Sequence, residues 1–207
     1  MQKTILITGC SSGIGAALAA EFGRRGHRVY ATARRAETLA PLERDGIRGL
    51  ELDVNDDDSI TGALETVAAE AGILDLLVNN AGFAQVGAVI DLTRDDLRRQ
   101  YETNVIAPVA VTAKAVPLLW SAVAKYGSAV VANVGSIVGL FTTPFAAAYC
   151  SSKAGVHSLT DALLGRSPPR VIRGGANSVR LPLLKKLLPA AMFDARMAKM
   201  FGLDALD

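Results

Sequence analysis

The chain has 207 residues, 50% of them hydrophobic and 20% charged, and its formal net charge is +2. This composition is typical of a folded globular protein and excludes a disordered one. A net charge this small gives no indication of a nucleic-acid partner, and we predict none.

The first nine residues look like a strand that runs into a turn, without the apolar stretch and cleavage site of a signal peptide. No uninterrupted apolar run approaches the roughly 18 residues of a membrane span. The spacing of Cys10 and Cys150 suggests neither a disulfide framework nor a metal site. Neither His27 nor His157 has another potential metal ligand at a suitable spacing in the sequence. We therefore expect a cytoplasmic protein with structural histidines and no metal.

Apolar strand-like runs alternate with helical segments from residue 3 to about residue 134. The predicted strands, in chain order, cover residues 4–7, 28–32, 50–52, 74–78 and 128–134. The predicted helices cover residues 14–26, a segment beginning at the acidic run 56–58, residues 94–105 and 108–125, and a last segment from about residue 148 to 164. This alternation predicts an α/β fold whose parallel sheet is doubly wound by helices in three α/β/α layers.

The regular pattern ends near Leu164, because Gly165 and the pair Pro168-Pro169 cannot continue a helix. Residues 181–206 then have the pattern of two basic, leucine-rich helices separated by Pro189. We expect a single domain over residues 1–164 and a helical tail over residues 165–207 that packs on it. Contact of residues 181–207 with a membrane surface is the alternative for this tail, because residues 181–188 are both basic and apolar.

Glycines cluster between the first predicted strand and the first predicted helix. Glycine lets the backbone bend sharply and approach a pyrophosphate, and the helix that follows offers free N–H groups and its positive dipole end. An ordinary strand–helix turn is the alternative, because the spacing differs from G-x-G-x-x-G. The predicted dinucleotide site contains Gly9, Ser11, Ser12, Gly13, Ile14 and Gly15.

The end of the second predicted strand indicates which dinucleotide binds. An acidic residue there would bind a ribose 2′-hydroxyl and repel a 2′-phosphate, whereas the chain has Arg34 and Arg35. We therefore predict NADP(H) in preference to NAD(H), with Arg34 near the 2′-phosphate. For Arg35, simple solvation is an equal alternative.

Tyr149 and Lys153 are four residues apart on the last predicted helix and so share one of its faces. A free tyrosine has a pKa near ~10, and a neighbouring ammonium group favours the phenolate form. Such a pair can deliver a proton to a carbonyl or take one from an alcohol. Ser136 follows the carboxyl end of a predicted strand, where open α/β sheets bind ligands, and could hold the substrate oxygen.

Segments 8–15 and 79–82, together with Asn104, Ser136, Tyr149 and Lys153, resemble the short-chain dehydrogenase/reductase family over about residues 3–164. The resemblance implies a Rossmann-like fold and an NADP-preferring enzyme that acts on CH–OH donors with NAD(P) as acceptor.

The resemblance also implies a role for each matching residue. Tyr149 would be the general acid/base, Lys153 would support it and bind the nicotinamide ribose, Ser136 would orient the carbonyl, and Asn104 would hold a water in a proton relay. Further cofactor contacts would come from Asp53, Val54, Asn80, Ala81, Gly82 and Tyr149 itself. Structural alternatives stand beside these roles, since Ser136 could cap a turn, Asn104 could satisfy a helix kink and Asp53 could cap a helix.

The chain departs from the family after residue 164, where the last strand, its Pro-Gly turn and the substrate loop are not recognisable. We expect a segment to be missing near residues 164 and 165. The predicted function is an NADP(H)-dependent oxidoreductase that interconverts a carbonyl and a secondary alcohol, in a homo-oligomer, most simply a dimer. The tail resembles that of members with hydrophobic substrates. The alternative is a cofactor-binding but catalytically inactive sensor or scaffold.

Overall fold

The computed structural model describes residues 1–43 and 47–163, together with Met192. The predicted tail helices, the strand-like residues 171–175 and the expected missing segment near residue 164 lie outside the described residues. The division into a domain of residues 1–164 and a tail stays a prediction.

The described strands form one parallel sheet in the order β3-β2-β1-β4-β5. Its strands are β1 (Thr4–Ile7), β2 (Arg28–Ala33), β3 (Arg48–Glu51), β4 (Leu76–Asn79) and β5 (Val130–Asn133). In β1, Ile5 pairs with Val29 on one side and with Leu76 on the other. All of β1 is buried, as expected for the central strand of a parallel sheet that is covered on both faces.

Six α-helices connect or follow the strands in the described chain. They are α1 (Gly13–Arg24), α2 (Ala40–Glu43), α3 (Asp57–Ala71), α4 (Arg94–Tyr101), α5 (Ala107–Tyr126) and α6 (Ala147–Leu163). The acidic run predicted to begin a helix does so: the Asp56 carboxylate accepts the N–H groups of Asp58 and Ser59, each at 2.9 Å, and caps α3.

The chain divides into two compact units. Unit 1 comprises Met1–Phe83 and Tyr101–Val134 and contains the whole sheet; unit 2 comprises Ala84–Gln100 and Gly135–Asp207, and includes α6.

Within unit 1, helices cover both faces of the sheet. On one face Ile5 and Val29 pack with Ala19 of α1. On the other face Leu6 packs in a core that includes Ile60 of α3 and Val111 of α5. These layers confirm the predicted α/β, Rossmann-like, doubly wound fold.

The segment between Arg94 and Tyr126 differs from the prediction. We expected helices over 94–105 and 108–125, but α4 continues through a π-helical turn, Glu102–Ile106, directly into α5. Pro108 lies in the first turn of α5, and the helical segment continues through this residue. Strand ends differ from the prediction by a residue or a few, as at β3, which begins at Arg48 rather than at residue 50.

By length and composition alone, the helical segment Arg94–Tyr126 is apolar enough to cross a membrane, with a mean hydropathy of 1.6. The apolar side chains of Val111, Ala115 and Leu118 belong to the core of unit 1. Because a core helix has the same composition, this segment is weak evidence for a membrane span.

Candidate nucleotide site and candidate catalytic groups

The glycine turn between β1 and α1 packs closely against the segment that follows β4, all within unit 1. Gly9 has a φ of +73°, and a Cβ on it would lie 2.8 Å from the Cα of Ala81. A Cβ on Gly15 would collide with the carbonyl oxygen of Gly9 and lie 2.5 Å from the Asn80 amide nitrogen. The sequence suggested that these glycines admit a ligand; protein atoms occupy the space beside Gly9 and Gly15.

Thr8 and Asn80 tie the two segments together. The Thr8 hydroxyl accepts the N–H groups of Asn80 and Ala81, each at 3.0 Å. In return, the Asn80 Nδ2 donates to the carbonyl oxygens of Thr8 at 2.8 Å and Gly9 at 2.9 Å. We call these four bonds the Thr8–Asn80 clasp. Sequence reasoning missed the role of Thr8 and the role of the Asn80 amide in holding the turn. The contact of Asn80 with the cofactor stays a prediction.

The N-terminus of α1 fits the phosphates of a dinucleotide. Ser12 is the N-cap residue but makes no side-chain cap bond, and the first turn carries no acidic residue. Residues 11–14 are all exposed. The first N–H groups of α1 are therefore open to an anion at the positive end of the helix dipole.

Arg34 directly follows β2 and is exposed. Arg35 lies 3.7 Å from the Glu37 carboxylate, whereas no ion pair joins Arg34 to any residue in the described ranges 1–43 and 47–163. A guanidinium in this position is suited to a phosphate group.

Asp53 and Val54 lie in the loop between β3 and α3. The Asp53 carboxylate accepts the N–H of Asn55 at 3.0 Å, and the Asp53 N–H donates to Ser59 Oγ at 2.9 Å. Val54 is buried. The predicted alternative, that Asp53 caps a helix, is wrong, because Asp56 caps α3. The contacts of Asp53 and Val54 with the cofactor stay a prediction.

Asn104 lies in the π-helical turn and is buried. Its Oδ1 accepts the N–H of Phe83 at 3.1 Å, and its Nδ2 donates to the Phe83 carbonyl oxygen at 3.0 Å. A Cβ on Gly82 would lie 3.0 Å from Asn104 Oδ1. The side chain thus fixes the segment after β4, and π turns are frequent at functional sites. Its role in a proton relay stays a prediction.

In unit 2, α6 carries Tyr149 and Lys153 on one face, with Lys153 Nζ 5.9 Å from the centroid of the Tyr149 ring. Lys153 is buried, and this burial lowers the pKa of its ammonium group because desolvation disfavours the charged form. Tyr149 is half-buried. The predicted pairing of these two side chains on one helix face is present.

Ser136 begins a short 3₁₀ turn, Ile137–Gly139, that lies directly on α6. A Cβ on Gly139 would be 2.7 Å from the Lys153 carbonyl oxygen. The Ser136 hydroxyl accepts the N–H of Val138 at 3.4 Å, so the turn-cap alternative is also present, as a long bond. Unit 2 therefore brings together the helix of Tyr149 and Lys153 and the turn of Ser136.

Both cysteines are free and buried. Burial raises the pKa of the Cys10 thiol to about 11, so this thiol is unreactive at neutral pH. Cys150 is almost fully buried beside Thr143, which agrees with its interpretation as a small hydrophobic residue.

A family model described as short chain dehydrogenase matches residues 3–175. This chain belongs to the short-chain dehydrogenase family. The match confirms the resemblance drawn from the motifs and extends it past residue 164, where the recognisable pattern ended.

Individual relatives agree with the family. The chain is 35% identical over 187 residues to short-chain dehydrogenase cctT of Talaromyces islandicus, covering 86% of this chain and 64% of that protein. It is 36% identical over 170 residues to the NADP-dependent 3-hydroxy acid dehydrogenase of Schizosaccharomyces pombe, and the match covers 78% of this chain and 64% of that protein. Among solved structures, 3-ketoacyl-(acyl-carrier-protein) reductase of Brucella melitensis with NADH is similar, at 28% identity and a TM-score of 0.73, covering 78% and 68%. The chain thus spans less than two thirds of the length of these curated relatives.

Proposed function

We propose that this short-chain dehydrogenase is an NADP(H)-dependent oxidoreductase that interconverts a carbonyl and a secondary alcohol. The observation that carries the proposal is the arrangement in unit 2, where the Ser136 turn lies on the helix that bears Tyr149 and Lys153. Unit 1 supplies the glycine turn and the open N-terminus of α1 for the dinucleotide.

In the direction of reduction, the Tyr149 hydroxyl donates its proton to the carbonyl oxygen as the carbonyl carbon becomes tetrahedral. A nicotinamide cofactor, held by the glycine turn and the N-terminus of α1, would supply the hydride in this direction and accept it in the other. The Ser136 hydroxyl holds the same oxygen, and the Lys153 ammonium stabilises the phenolate that Tyr149 leaves until water returns the proton.

Arg34 supports NADP(H) over NAD(H). The Schizosaccharomyces pombe relative is named NADP-dependent and the Brucella melitensis reductase was solved with NADH, so relatives of both kinds exist. The choice in this chain therefore rests on an exposed arginine, with no acidic residue beside it, at the end of β2.

The names of these two relatives also suggest a substrate class. One acts on a 3-hydroxy acid and the other is a 3-ketoacyl reductase, so both work on an oxygen at the third carbon of an acyl chain. We propose a hydrophobic carbonyl compound of this β-keto type for this chain, with ethyl acetoacetate as the simplest probe.

We also propose a cytoplasmic homo-oligomer. Val109, Val116 and Trp120 recur on one side of α5 and are all exposed, with 65% of Trp120 accessible. We call these three residues the α5 stripe. A second copy of the chain would cover it and bury apolar surface.

The test of the activity is Tyr149→Phe, assayed with NADPH and a panel of carbonyls: ethyl acetoacetate, acetophenone, cyclohexanone and decanal. Loss of the proton donor should lower kcat by about 10²- to 10⁴-fold, while the ring keeps the packing of α6. NADPH affinity, followed by its fluorescence, should change by less than about twofold, since the substitution removes one hydroxyl and leaves Lys153 and the glycine turn unchanged.

The matched control is Tyr126→Phe, which removes a hydroxyl at the end of α5 and should leave kcat unchanged. Retained turnover in Tyr149→Phe would contradict the proton-donor role. If the unaltered chain binds NADPH but oxidises it with none of the carbonyls, the inactive sensor or scaffold becomes the better interpretation.

A further inference from the structure

His157 contacts the turn that carries Ser136. It follows Lys153 by four residues on α6, so the two side chains leave the same face of the helix. Its Nε2 lies 3.0 Å from the main-chain carbonyl oxygen of Ser136. A carbonyl oxygen only accepts, so Nε2 carries the hydrogen and His157 donates this bond.

The packing around the ring is tight at both ends of the turn. A Cβ on Gly135 would lie 3.1 Å from His157 Nε2, and a Cβ on Gly139 would lie 2.7 Å from His157 Cδ2. Glycine at both positions therefore leaves room for the His157 ring beside the turn.

The Ser136 carbonyl oxygen also accepts the N–H of Gly139 at 3.0 Å, and this bond closes the turn on itself. The bond from Val138 N–H to Ser136 Oγ is long, at 3.4 Å, and also lies within the turn. Of the hydrogen bonds described for the Ser136 carbonyl, the one from His157 joins it to α6. Rotation of the peptide after Ser136 would swing its carbonyl away from His157. A bond to that carbonyl therefore restrains the backbone that carries the serine hydroxyl.

We propose that His157 is a positioning residue, which holds the Ser136 peptide on α6 and so fixes the Ser136 hydroxyl relative to the helix of Tyr149 and Lys153. The proposal rests on the oxidoreductase function proposed above. It assigns to His157 no contact with substrate or cofactor.

The first test compares two substitutions at one position. His157→Phe keeps a ring but removes the donor, whereas His157→Gln keeps an N–H donor. A hydroxyl displaced by a fraction of an ångström to 1 Å should cost His157→Phe about 10- to 100-fold in kcat. The kcat of His157→Gln should lie within about threefold of that of the unaltered chain, because the glutamine amide can donate a hydrogen bond to the same carbonyl oxygen.

The affinity for NADPH should not change in either variant, so the loss should appear in kcat alone. Ser158→Ala, at an exposed neighbouring position on α6, is the matched control and should retain full turnover. A His157→Phe enzyme with unchanged kcat would overturn the proposal, as would equal losses in the Phe and Gln variants.

A double-substitution cycle tests whether His157 acts through Ser136. If it does, His157→Phe should lower kcat no further once Ser136→Ala has removed the hydroxyl. The same loss in the presence and absence of Ser136→Ala would show an independent effect and overturn the positioning role.

Amide hydrogen exchange gives a readout that needs no turnover. Exchange at Val138 should quicken by about fivefold in His157→Phe, as expected for loss of one hydrogen bond of about 1 kcal/mol, and stay near the original rate in His157→Gln. Unchanged exchange in His157→Phe would overturn the anchoring of the turn. If no carbonyl is reduced by the unaltered chain, the proposed function fails, while this exchange contrast still decides the anchoring.

Discussion

The hydroxyl of Thr8 accepts two successive N–H groups from the segment after β4. Removing it, as in Thr8→Val, would take this acceptor from both N–H groups, and each hydrogen bond of this kind contributes roughly 0.5–1.5 kcal/mol. Arg34 is the opposite kind of residue, since it is exposed and forms no ion pair in the described ranges. The first residue stabilises the protein, and the second is available to a ligand.

Replacement of Arg34 by alanine should weaken NADPH binding without weakening NADH binding. A charge-assisted bond to a phosphate contributes about 1.5–3 kcal/mol, which corresponds to roughly 10- to 150-fold in affinity. The dissociation constants of both cofactors, measured by fluorescence titration, give the result directly.

Arg35→Ala is the control for this measurement, because Arg35 already lies near Glu37 and should affect both cofactors little. Equal weakening of NADPH and NADH by Arg34→Ala would mean that the arginine does not distinguish the 2′-phosphate. In that case the preference for NADP(H) would have to be abandoned.

At the scale of an element, the π-helical turn between α4 and α5 places Asn104 against the backbone of Phe83. The oxygen and the nitrogen of the Asn104 amide both form hydrogen bonds with the backbone of Phe83. These bonds fix the position of the π-helical turn relative to the segment after β4. The sequence predicted two separate helices here, the second beginning at Pro108. No side-chain pattern signals a π turn, so the continuous helix could not be foreseen.

Replacement of Asn104 by alanine should lower the free energy of unfolding by about 2–3 kcal/mol, because it removes both bonds to Phe83 from a buried site. Denaturant titration measures this loss, and exchange at the Phe83 amide should quicken with it. Thr103→Ala is the neighbouring control; it removes only the exposed bond from Asn55 and should cost less than about 1 kcal/mol. Similar losses in the two variants would show that the Asn104 amide contributes no more to the free energy of unfolding than one exposed hydrogen bond does.

The parallel sheet itself was predictable, since its buried strands are short, branched and apolar, and β1 is apolar throughout. The position of Tyr149 and Lys153 on one helix face was also predictable, from their spacing of four residues. The contacts were not: Asn80 holds the glycine turn, and His157 donates to Ser136 although nothing in its sequence neighbourhood marks it. Such contacts join residues far apart in the chain, and only the folded backbone brings them together.

For the whole molecule, the α5 stripe predicts association. Trp120→Glu should convert an oligomer into monomers, because a carboxylate would have to be desolvated in the interface. Light scattering after size-exclusion chromatography measures the mass of each species. Lys125→Ala, which makes the same change in net charge on another side of α5, should leave the assembly intact. A monomeric unaltered chain, or an oligomer that survives Trp120→Glu, would contradict the interface.

The Thr8–Asn80 clasp has a consequence for how cofactor use can change in this protein. The clasp closes the glycine turn with protein atoms alone, and Arg34 takes no part in it. A substitution at Arg34 therefore leaves every bond of the clasp in place. We therefore expect that a redesign of cofactor preference at Arg34 needs no compensating change in the glycine turn.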